Sequence, residues 1–218
     1  MTSVAKKVFV VDDHALVRRG MRDLISQESE FTICGEAAGM TEALRLIEAS
    51  TPDIVIVDIT LGDGDGIELI KQIRARNIPA RIIVSTMHDE SLFGERCFRA
   101  GAMGYVNKEV ASERVVEAMR TVIAGRLYVS ERLAERLLNR AVGSDSASPK
   151  SLYDGLTDRE LEVFGMIGKG MTTREIADKL HRSHKTIESY RENIKFKLGL
   201  KNSAELARSA VEWVLRPE

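Results

Sequence analysis

Two patterns of apolar residues divide the chain. Over roughly the first 125 residues, short apolar and β-branched runs alternate with longer amphipathic stretches of helical period. The strand-like runs are Val8–Val11, Phe31–Ala37, Ile54–Val57, Ile82–Ser85 and Tyr105–Val106. Alternating strands and helices favour a parallel sheet covered on both faces, and fully apolar runs fit strands that are buried on both sides. The pattern predicts a doubly wound α/β fold with a five-stranded parallel sheet.

The rest of the chain has helical periodicity without strand-like runs. Residues 130–142 are predicted to form a helix, and residues 143–149 have the small, polar composition of a flexible linker. Further helices are predicted near residues 157–168, 172–180, 184–198 and 202–215. We therefore expect three segments, namely an α/β domain over 6–125, a linker helix and flexible linker over 126–152, and a smaller all-helical domain over 153–218.

Composition indicates the class of protein. With 218 residues, 44% hydrophobic and 30% charged, the chain is long enough for two globular domains. Its apolar runs are far shorter than the roughly 20 residues of a membrane span, and its first residues lack the pattern of a signal peptide. We expect a cytoplasmic protein without membrane contact. Cys34 and Cys97 stand outside any metal-binding spacing and are expected to be reduced thiols.

Acidic side chains follow two of the predicted strands. Asp12 and Asp13 come directly after the first strand, and Asp58 comes after the third. The carboxyl ends of strands at the switch point of an open α/β sheet form its binding crevice, so these carboxylates are expected to converge. Close carboxylates repel one another unless a cation intervenes, and their oxygens suit Mg²⁺. The sequence therefore predicts a divalent cation at this edge.

Hydroxyl and ammonium groups are predicted at the same edge. Ser85 and Thr86 end the fourth strand, and Lys108 follows the fifth. A carboxylate nucleophile beside a metal ion and a lysine can accept a phosphoryl group, because the two cations neutralise the transferring oxygens. Each aspartate taken alone could instead cap a following helix. The joint pattern favours a site that forms an aspartyl phosphate.

The first domain resembles the receiver domain of bacterial response regulators over roughly residues 6–125. The motifs that carry the resemblance are Val11-Asp12-Asp13-His14, Val57-Asp58-Ile59-Thr60, Asp65-Gly66, Ser85-Thr86 and Gly104-Tyr105-Val106-Asn107-Lys108. The resemblance implies a flavodoxin-like fold with Asp58 as phosphoacceptor, Lys108 as the partner of the phosphoryl group, and Thr86 and Tyr105 as a switch pair. The Mg²⁺ ligands that it implies are Asp12 through water, Asp13, Asp58 and the backbone carbonyl of Thr60.

Three loop positions modify this expectation. Thr60 and His88 stand where the family controls the rate of acyl-phosphate hydrolysis, although His88 is equally compatible with a plain surface residue. Gly62 stands where the family usually has proline. We therefore expect a looser loop after Asp58.

The second domain has the pattern of a helix-turn-helix. Thr157 followed by Glu160 is a capping-box sequence that starts a helix. The segments 172–180 and 184–198 are separated by a tight turn, a spacing that places the second helix in the DNA major groove. Periodicity alone is also compatible with a structural four-helix domain.

Specific motifs favour DNA binding over that alternative. Residues 155–215 resemble the LuxR/NarL-type DNA-binding domain through Leu156-Thr157-x-Arg159-Glu160-x-Glu162-Val163, Glu175-Ile176-Ala177, Lys185-Thr186-Ile187-Glu188 and Lys197-Leu198-Gly199-Leu200. Together with the receiver motifs, they identify the chain as a member of the NarL/FixJ subfamily of response regulators. The resemblance implies a dimer contact on the final helix, residues 202–215.

A helical wheel over residues 185–198 predicts which side chains face DNA. Ile187, Arg191, Ile194 and Leu198 fall near one stripe, whose apolar members are expected to face the core, and the opposite side is expected to meet base edges. The net charge of the chain is −1, yet residues 181–201 contain six Lys or Arg against two acids, which suits contacts to phosphates. The candidate DNA-binding residues are Arg182, Lys185, Thr186, Glu188, Ser189, Tyr190, Arg191, Glu192 and Lys195. Phe196 also projects outward, and packing against the receiver domain is one interpretation of it.

The predicted function is phosphorylation-dependent regulation of transcription. A histidine kinase would phosphorylate Asp58, and the second domain would bind promoter DNA as a homodimer formed on phosphorylation or DNA binding. A Mg²⁺-dependent phosphatase would normally show an Asp-x-Asp pair after the first strand, whereas Asp12 and Asp13 are adjacent. A lactone-binding quorum regulator would need an aromatic-rich pocket, and aromatic residues are only 5% of the chain. We therefore expect a regulator rather than an enzyme.

Overall fold

The computed structural model describes residues 4–88, 90–109, 113–141, 152–180 and 182–215. The chain divides into two compact units, Met1–Asp145 and Ser146–Glu218. The predicted flexible linker, residues 143–149, lies outside the described residues. Within the described ranges, no helix is both long enough and apolar enough to cross a membrane.

The first unit contains a five-stranded parallel sheet and six helices among its described residues. The strands are β1 (Lys6–Val11), β2 (Phe31–Ala37), β3 (Ile54–Val57), β4 (Thr60–Leu61), β5 (Gly64–Asp65), β6 (Arg81–Thr86) and β7 (Gly104–Asn107). The helices are α1 (Ala15–Ser26), α2 (Met40–Ser50), α3 (Gly66–Ala75), α4 (Glu90–Ala100), α5 (Glu113–Ile123) and α6 (Glu131–Ala141). The sheet order is β2-β1-β3-β6-β7, while β4 and β5 form a short antiparallel pair beside it. The predicted doubly wound fold is confirmed.

The central strands are buried because both faces of the sheet are covered. One face packs against α1 and α5 through Val8, Val10, Ile54 and Ile56 of the strands and residues such as Met119. The alternate strand residues point to the other face, where α2, α3 and α4 pack side by side. Since β1 lies between β2 and β3, the order of the sheet reverses there, and a crevice opens at the carboxyl ends of β1 and β3.

The segment after α5 is built into the first unit. Tyr128 forms a parallel bridge with Gly104, and its carbonyl accepts a 3.0 Å hydrogen bond from the Tyr105 N–H. The chain therefore runs along the edge of the sheet beside β7 at this one bridge. Helix α6 follows, and its fully buried Leu133 lies against Gly94 of α4.

The second unit is a helical bundle over its described residues. After a 3₁₀ turn, Leu152–Gly155, come α7 (Asp158–Gly168), α8 (Thr173–Lys179), α9 (His184–Leu198) and α10 (Ser203–Leu215). Capping boxes start both α7, at Thr157, and α8, at Thr172. The rings of Tyr153, Phe164 and Trp213 cluster with centroids 5.3 to 5.9 Å apart and tie α7 to α10.

Candidate functional site

Four potential ligand groups meet at the carboxyl edge of the sheet. Asp12 follows β1 and Asp58 follows β3, and these two side chains are almost fully buried. Together with Asp13 and His14, they place one ligand atom each within 4.8 Å of one another. The aspartates converge because β1 and β3 are neighbouring parallel strands that end in register. The sequence predicts the three aspartates at this site. His14 appears in the sequence motif, but its pattern does not predict a contribution to the site.

Lys108 neutralises the two buried carboxylates. Its Nζ atom lies 2.5 Å from Asp12 Oδ2 and 2.6 Å from Asp58 Oδ2. Burial raises the pKa of the Asp12 carboxyl above its ordinary value, with the charge of Lys108 opposing that rise. Burial alone would lower the pKa of Lys108, but the charges of Asp58 and Asp12 hold it above its ordinary value. The lysine is thus a fixed positive charge beside the two carboxylates.

The donor set fits a hard divalent cation. Three carboxylates and one ammonium leave two negative charges when all four are ionised, which is the charge that a divalent cation balances. Asp13 Oδ1 is buried and lies 2.7 Å from His14 Nδ1 without the geometry of a hydrogen bond, so no described donor satisfies it by a hydrogen bond. An acidic pocket of this kind is able to bind a divalent metal ion, and carboxylate oxygens are the ligands that Mg²⁺ prefers.

The loop after Asp58 is held at two points. A Cβ atom on Gly66 would lie 2.0 Å from the Asp58 carbonyl oxygen, so only glycine allows this approach of α3 to the site. The Asp65 side chain caps α3 by accepting from the Ile67 N–H at 2.7 Å. The Asp63 side chain accepts from the Met40 N–H at 2.7 Å. The expected looser loop at Gly62 is therefore tethered, since Asp63 binds the first turn of α2.

The predicted switch residues lie at the end of β6 and within β7, and hydrogen bonds connect this region through the loop after β6. Tyr105 and Thr86 are buried, and the Tyr105 hydroxyl donates to the His88 carbonyl at 2.9 Å. The His88 ring nitrogen Nε2 lies 2.9 Å from Thr60 Oγ1. The loop after β6 is thus joined through His88 to Thr60, which follows Asp58, and to strand β7. Ser85 Oγ is buried beside them without a hydrogen-bond partner among the described residues.

Sequence reasoning missed the role of His88 as a link. It treated the residue as a loop position or a plain surface residue, whereas the structure connects His88 to both Thr60 and Tyr105 and stacks its ring 4.6 Å from that of Phe93. Only the short distance of His88 along the chain from Thr86 could have suggested this, because hydrogen bonds between loops depend on the folded arrangement.

Helix α9 presents one face to the core of the second unit and the other to solvent. Ile187 and Ile194 are completely buried, as the helical wheel predicts. Ser183 caps the helix by accepting from the Thr186 N–H at 3.1 Å, and Gly199 ends it with a φ of 66°. The solvent face, which we call the α9 outer face, consists of Lys185, Ser189, Glu192, Asn193 and Phe196, all of which are exposed.

The candidate DNA-binding residues differ in exposure. The exposed members are Arg182, Lys185, Ser189 and Glu192, and the half-buried ones are Thr186, Glu188, Tyr190, Arg191 and Lys195. Lys195 forms an ion pair with Glu192 at 2.9 Å. Ser189 Oγ donates to the Lys185 carbonyl at 3.0 Å. The exposed members therefore have the freest access to a partner, while Lys195 offsets the charge of Glu192.

Family models and curated relatives match both units of the chain. A family model described as the response regulator receiver domain matches residues 8–120, and one described as bacterial regulatory proteins of the luxR family matches residues 154–210. The DNA-binding transcriptional activator DevR/DosR of Mycobacterium tuberculosis is 35% identical over 94% of this chain and 94% of its own length. The oxygen regulatory protein NreC of Staphylococcus aureus is 32% identical over 94% of this chain and 97% of its own length.

Solved structures with similar folds cover both units. A LuxR-family two-component response regulator from Aurantimonas sp. has a TM-score of 0.57 and 39% identity over 64% of this chain and 99% of its own length. The two-component response regulator RcsB, solved in complex with DNA, has a TM-score of 0.57 and 27% identity over 98% of this chain and 100% of its own length. Another RcsB structure, from Salmonella typhimurium, reaches a TM-score of 0.63 at 26% identity over 96% of this chain and 98% of its own length.

Proposed function

The chain belongs to the response regulators of NarL/FixJ type, transcription regulators in which a receiver domain precedes a LuxR-type DNA-binding domain, and we propose that phosphorylation of Asp58 controls its binding to DNA. The observation that carries this proposal is the convergence of Asp12, Asp13, Asp58 and Lys108 at one edge of the sheet. A histidine kinase is the phosphodonor that this family implies. The residues proposed to bind DNA are Arg182, just before α9, and side chains of α9 itself.

The chemistry follows from the two oxygens of Asp58. Oδ2 is held by Lys108 at 2.6 Å, whereas Oδ1 accepts a longer 3.3 Å hydrogen bond from the Thr60 N–H. We expect Oδ1 to attack the phosphorus atom while the bond from phosphorus to the donor breaks and the donor keeps its electron pair. An ionised carboxylate needs no general base for this step. Lys108 and the Thr60 N–H would hold the oxygens of the transferred group.

The metal site would be occupied by Mg²⁺. Asp12, Asp13, Asp58 and the Thr60 carbonyl would hold the ion, which when bound supplies positive charge to the phosphoryl oxygens. The Thr86 hydroxyl is the group that would turn toward the phosphoryl group. Its movement would disturb His88, whose N–H lies 3.5 Å from Thr86 Oγ1 and whose carbonyl holds Tyr105.

Labelling with acetyl phosphate tests the phosphoacceptor. In the presence of Mg²⁺, intact-protein mass spectrometry should show one added phosphoryl group, and Asp58→Asn should abolish it. Asp53→Asn is the matched control, because Asp53 stands at the opposite end of the same strand and pairs with Lys6 rather than with the site. Full labelling of the Asp58→Asn protein would refute the assignment. Asp13→Asn should lose labelling together with its dependence on Mg²⁺.

The DNA-binding half of the proposal rests on the α9 outer face. Lys185 and Arg182 would contact phosphates, while Ser189, Glu192 and Asn193 would meet base edges in the major groove. Because the Ser189 hydroxyl donates to the Lys185 carbonyl, its oxygen is free to accept from the amine of a cytosine or an adenine. Lys185→Ala should weaken binding to all sequences and flatten the salt dependence. Ser189→Ala should instead change which sequences a binding selection recovers.

A further inference from the structure

Phe196 has the largest exposed fraction, 88%, among the large apolar side chains of the described residues. The fold of the second unit does not need it in this position, because Ile187 and Ile194 already supply the buried face of α9. Single exposed apolar side chains are common on protein surfaces. Phe196 differs from such residues because it lies within the α9 outer face, which is proposed to meet DNA.

Phe196 lies on the same line of the helix as the residues proposed to meet DNA. At 100° per residue, its direction is within about 20° of both Lys185 and Ser189 and about 40° from Glu192. Along the helix axis it stands roughly 10 Å beyond Ser189, and because a helix in the major groove runs at an angle to the DNA axis, that distance spans about two to three base pairs. When α9 lies in the major groove, the ring therefore points to base pairs next to those that face Ser189.

The apolar group that a phenyl ring can contact in the major groove is the methyl group of thymine. Phenylalanine has no hydrogen-bond donor and no charge, so it cannot hold a phosphate or read the polar edge of a base. Thymine places its C5-methyl group on the groove floor, and apolar side chains recognise that methyl. Contact between them would remove both apolar surfaces from water, which favours binding.

We propose that Phe196 is a specificity-determining residue that reads a thymine methyl about two to three base pairs from the bases facing Ser189. This inference rests on the proposed function, since it needs α9 in the major groove. Thymine is expected at that position of the preferred DNA sequence. A polar or charged residue at 196 would remove the preference, whereas leucine would keep most of it.

The test removes the methyl group without changing base pairing. A site is first selected from random DNA with the full-length, acetyl-phosphate-treated protein, and each thymine of one half-site is then replaced in turn by deoxyuridine. Affinities are measured for the unsubstituted protein and for Phe196→Ala, Phe196→Leu and Ser189→Ala. At one thymine, loss of the methyl should weaken the unsubstituted protein and Ser189→Ala by about fourfold and leave Phe196→Ala unchanged. Phe196→Ala itself should lower affinity for the thymine site by about tenfold.

The results separate this inference from the proposed function. If Lys185→Ala flattens the salt dependence but every deoxyuridine penalty is the same with and without Phe196, the ring does not read thymine and only the inference fails. If neither Lys185→Ala nor Ser189→Ala changes binding, α9 is not the DNA-contacting helix and both fail. Thermal unfolding of Phe196→Ala should match that of the unsubstituted protein, because the ring is exposed. The proposal is supported if the affinity of Phe196→Leu still falls when the same thymine loses its methyl group.

Discussion

At the scale of single residues, Glu160 shows how a family motif serves the fold. This buried carboxylate accepts from the Thr157 N–H at 2.7 Å and from Lys197 Nζ at 2.6 Å. It joins the start of α7 to the end of α9, the helix proposed to meet DNA. Burial alone would raise the pKa of Glu160, but Lys197 and the Thr157 N–H outweigh it and hold the pKa below its ordinary value.

That lowered pKa predicts a pH-dependent effect of Glu160→Gln. A carboxyl whose folded pKa is depressed stabilises the fold above its unfolded pKa of about 4.3, and the stabilisation is lost as pH falls through the folded value. At pH 7 the variant should be less stable by about 2 kcal/mol, and the difference should shrink below about pH 4. Urea unfolding followed by Trp213, the single tryptophan, reports on this unit. Glu175→Gln, at the same capping-box position but exposed and without a lysine, should lose less. A pH-independent difference would contradict the assignment.

Lys108 leads to a second prediction at this scale. Replacing it by methionine leaves two buried carboxylates, Asp12 and Asp58, without their shared ammonium. Loss of one partner of a buried ion pair costs about 3 kcal/mol, so hydrogen exchange in β1 and β3 should become faster in metal-free buffer. Mg²⁺ should then slow exchange more in Lys108→Met than in the unsubstituted protein, since the ion supplies the missing charge. Lys6→Met, which removes an exposed partner of Asp53, is the control. If Mg²⁺ slowed exchange equally in Lys108→Met and in the unsubstituted protein, Lys108 would not be the positive charge that balances the carboxylates when the metal ion is absent.

At the scale of elements, the attachment of α6 to α4 depends on one glycine. A Cβ atom on Gly94 would lie 2.4 Å from Leu133 Cδ2, and the Glu90 side chain accepts from the Ser130 N–H at 3.2 Å just before α6. Helix α6 therefore packs against the N-terminal half of α4. The hydroxyl of Tyr105 binds the His88 carbonyl two residues before α4 begins, so the switch loop and α6 meet the same helix.

Gly94→Ala should loosen α6. The added methyl displaces Leu133, so the described amides of α6 should exchange faster while those of β1 and β3 stay protected. In Leu133→Ala the buried contact is already lost, and adding Gly94→Ala should then change little, giving a non-additive double-mutant cycle. Gly20→Ala in α1 is the matched control, because nothing lies within 4 Å of its new Cβ and alanine favours a helix. Additive effects of the two substitutions would show that Gly94 and Leu133 do not act through one contact.

The elements also show what the sequence could and could not predict. Apolar runs identified β1, β3 and β6 because these strands are buried on both faces, and that placed Asp12 and Asp58 at one edge. Periodicity identified α9 and its buried stripe. The edge bridge at Tyr128, the seat of Leu133 on Gly94 and the His88 link were not predictable. Each joins residues that are distant in sequence through a contact that exists only in the folded chain, so no local pattern marks it.

At the scale of the whole molecule, phosphorylation is expected to change the oligomeric state. We expect movement of Thr86 to reach the surface of α4, β7 and α5, because His88, two residues before α4, contacts Thr86 Oγ1 through its N–H at 3.5 Å and accepts from the Tyr105 hydroxyl. A rearrangement there would also move the loop before α4, where Met87 is 59% exposed. We expect acetyl phosphate to shift the protein from monomer to dimer in sedimentation velocity. Asp58→Asn should stay monomeric under the same conditions.

A dimer should also bind DNA with a different dependence on salt. Each α9 that docks contributes its own phosphate contacts through Lys185 and Arg182, and the salt slope of the binding constant is proportional to the number of contacts. On a duplex with two half-sites, the phosphorylated protein should therefore show about twice the slope of the same protein on one half-site. Spacing the half-sites by an extra half turn of DNA should return the slope to the single-site value, because the two helices then face opposite sides of the duplex. If the slope doubles without phosphorylation and in Asp58→Asn as well, DNA alone assembles the dimer and the receiver switch is not its cause.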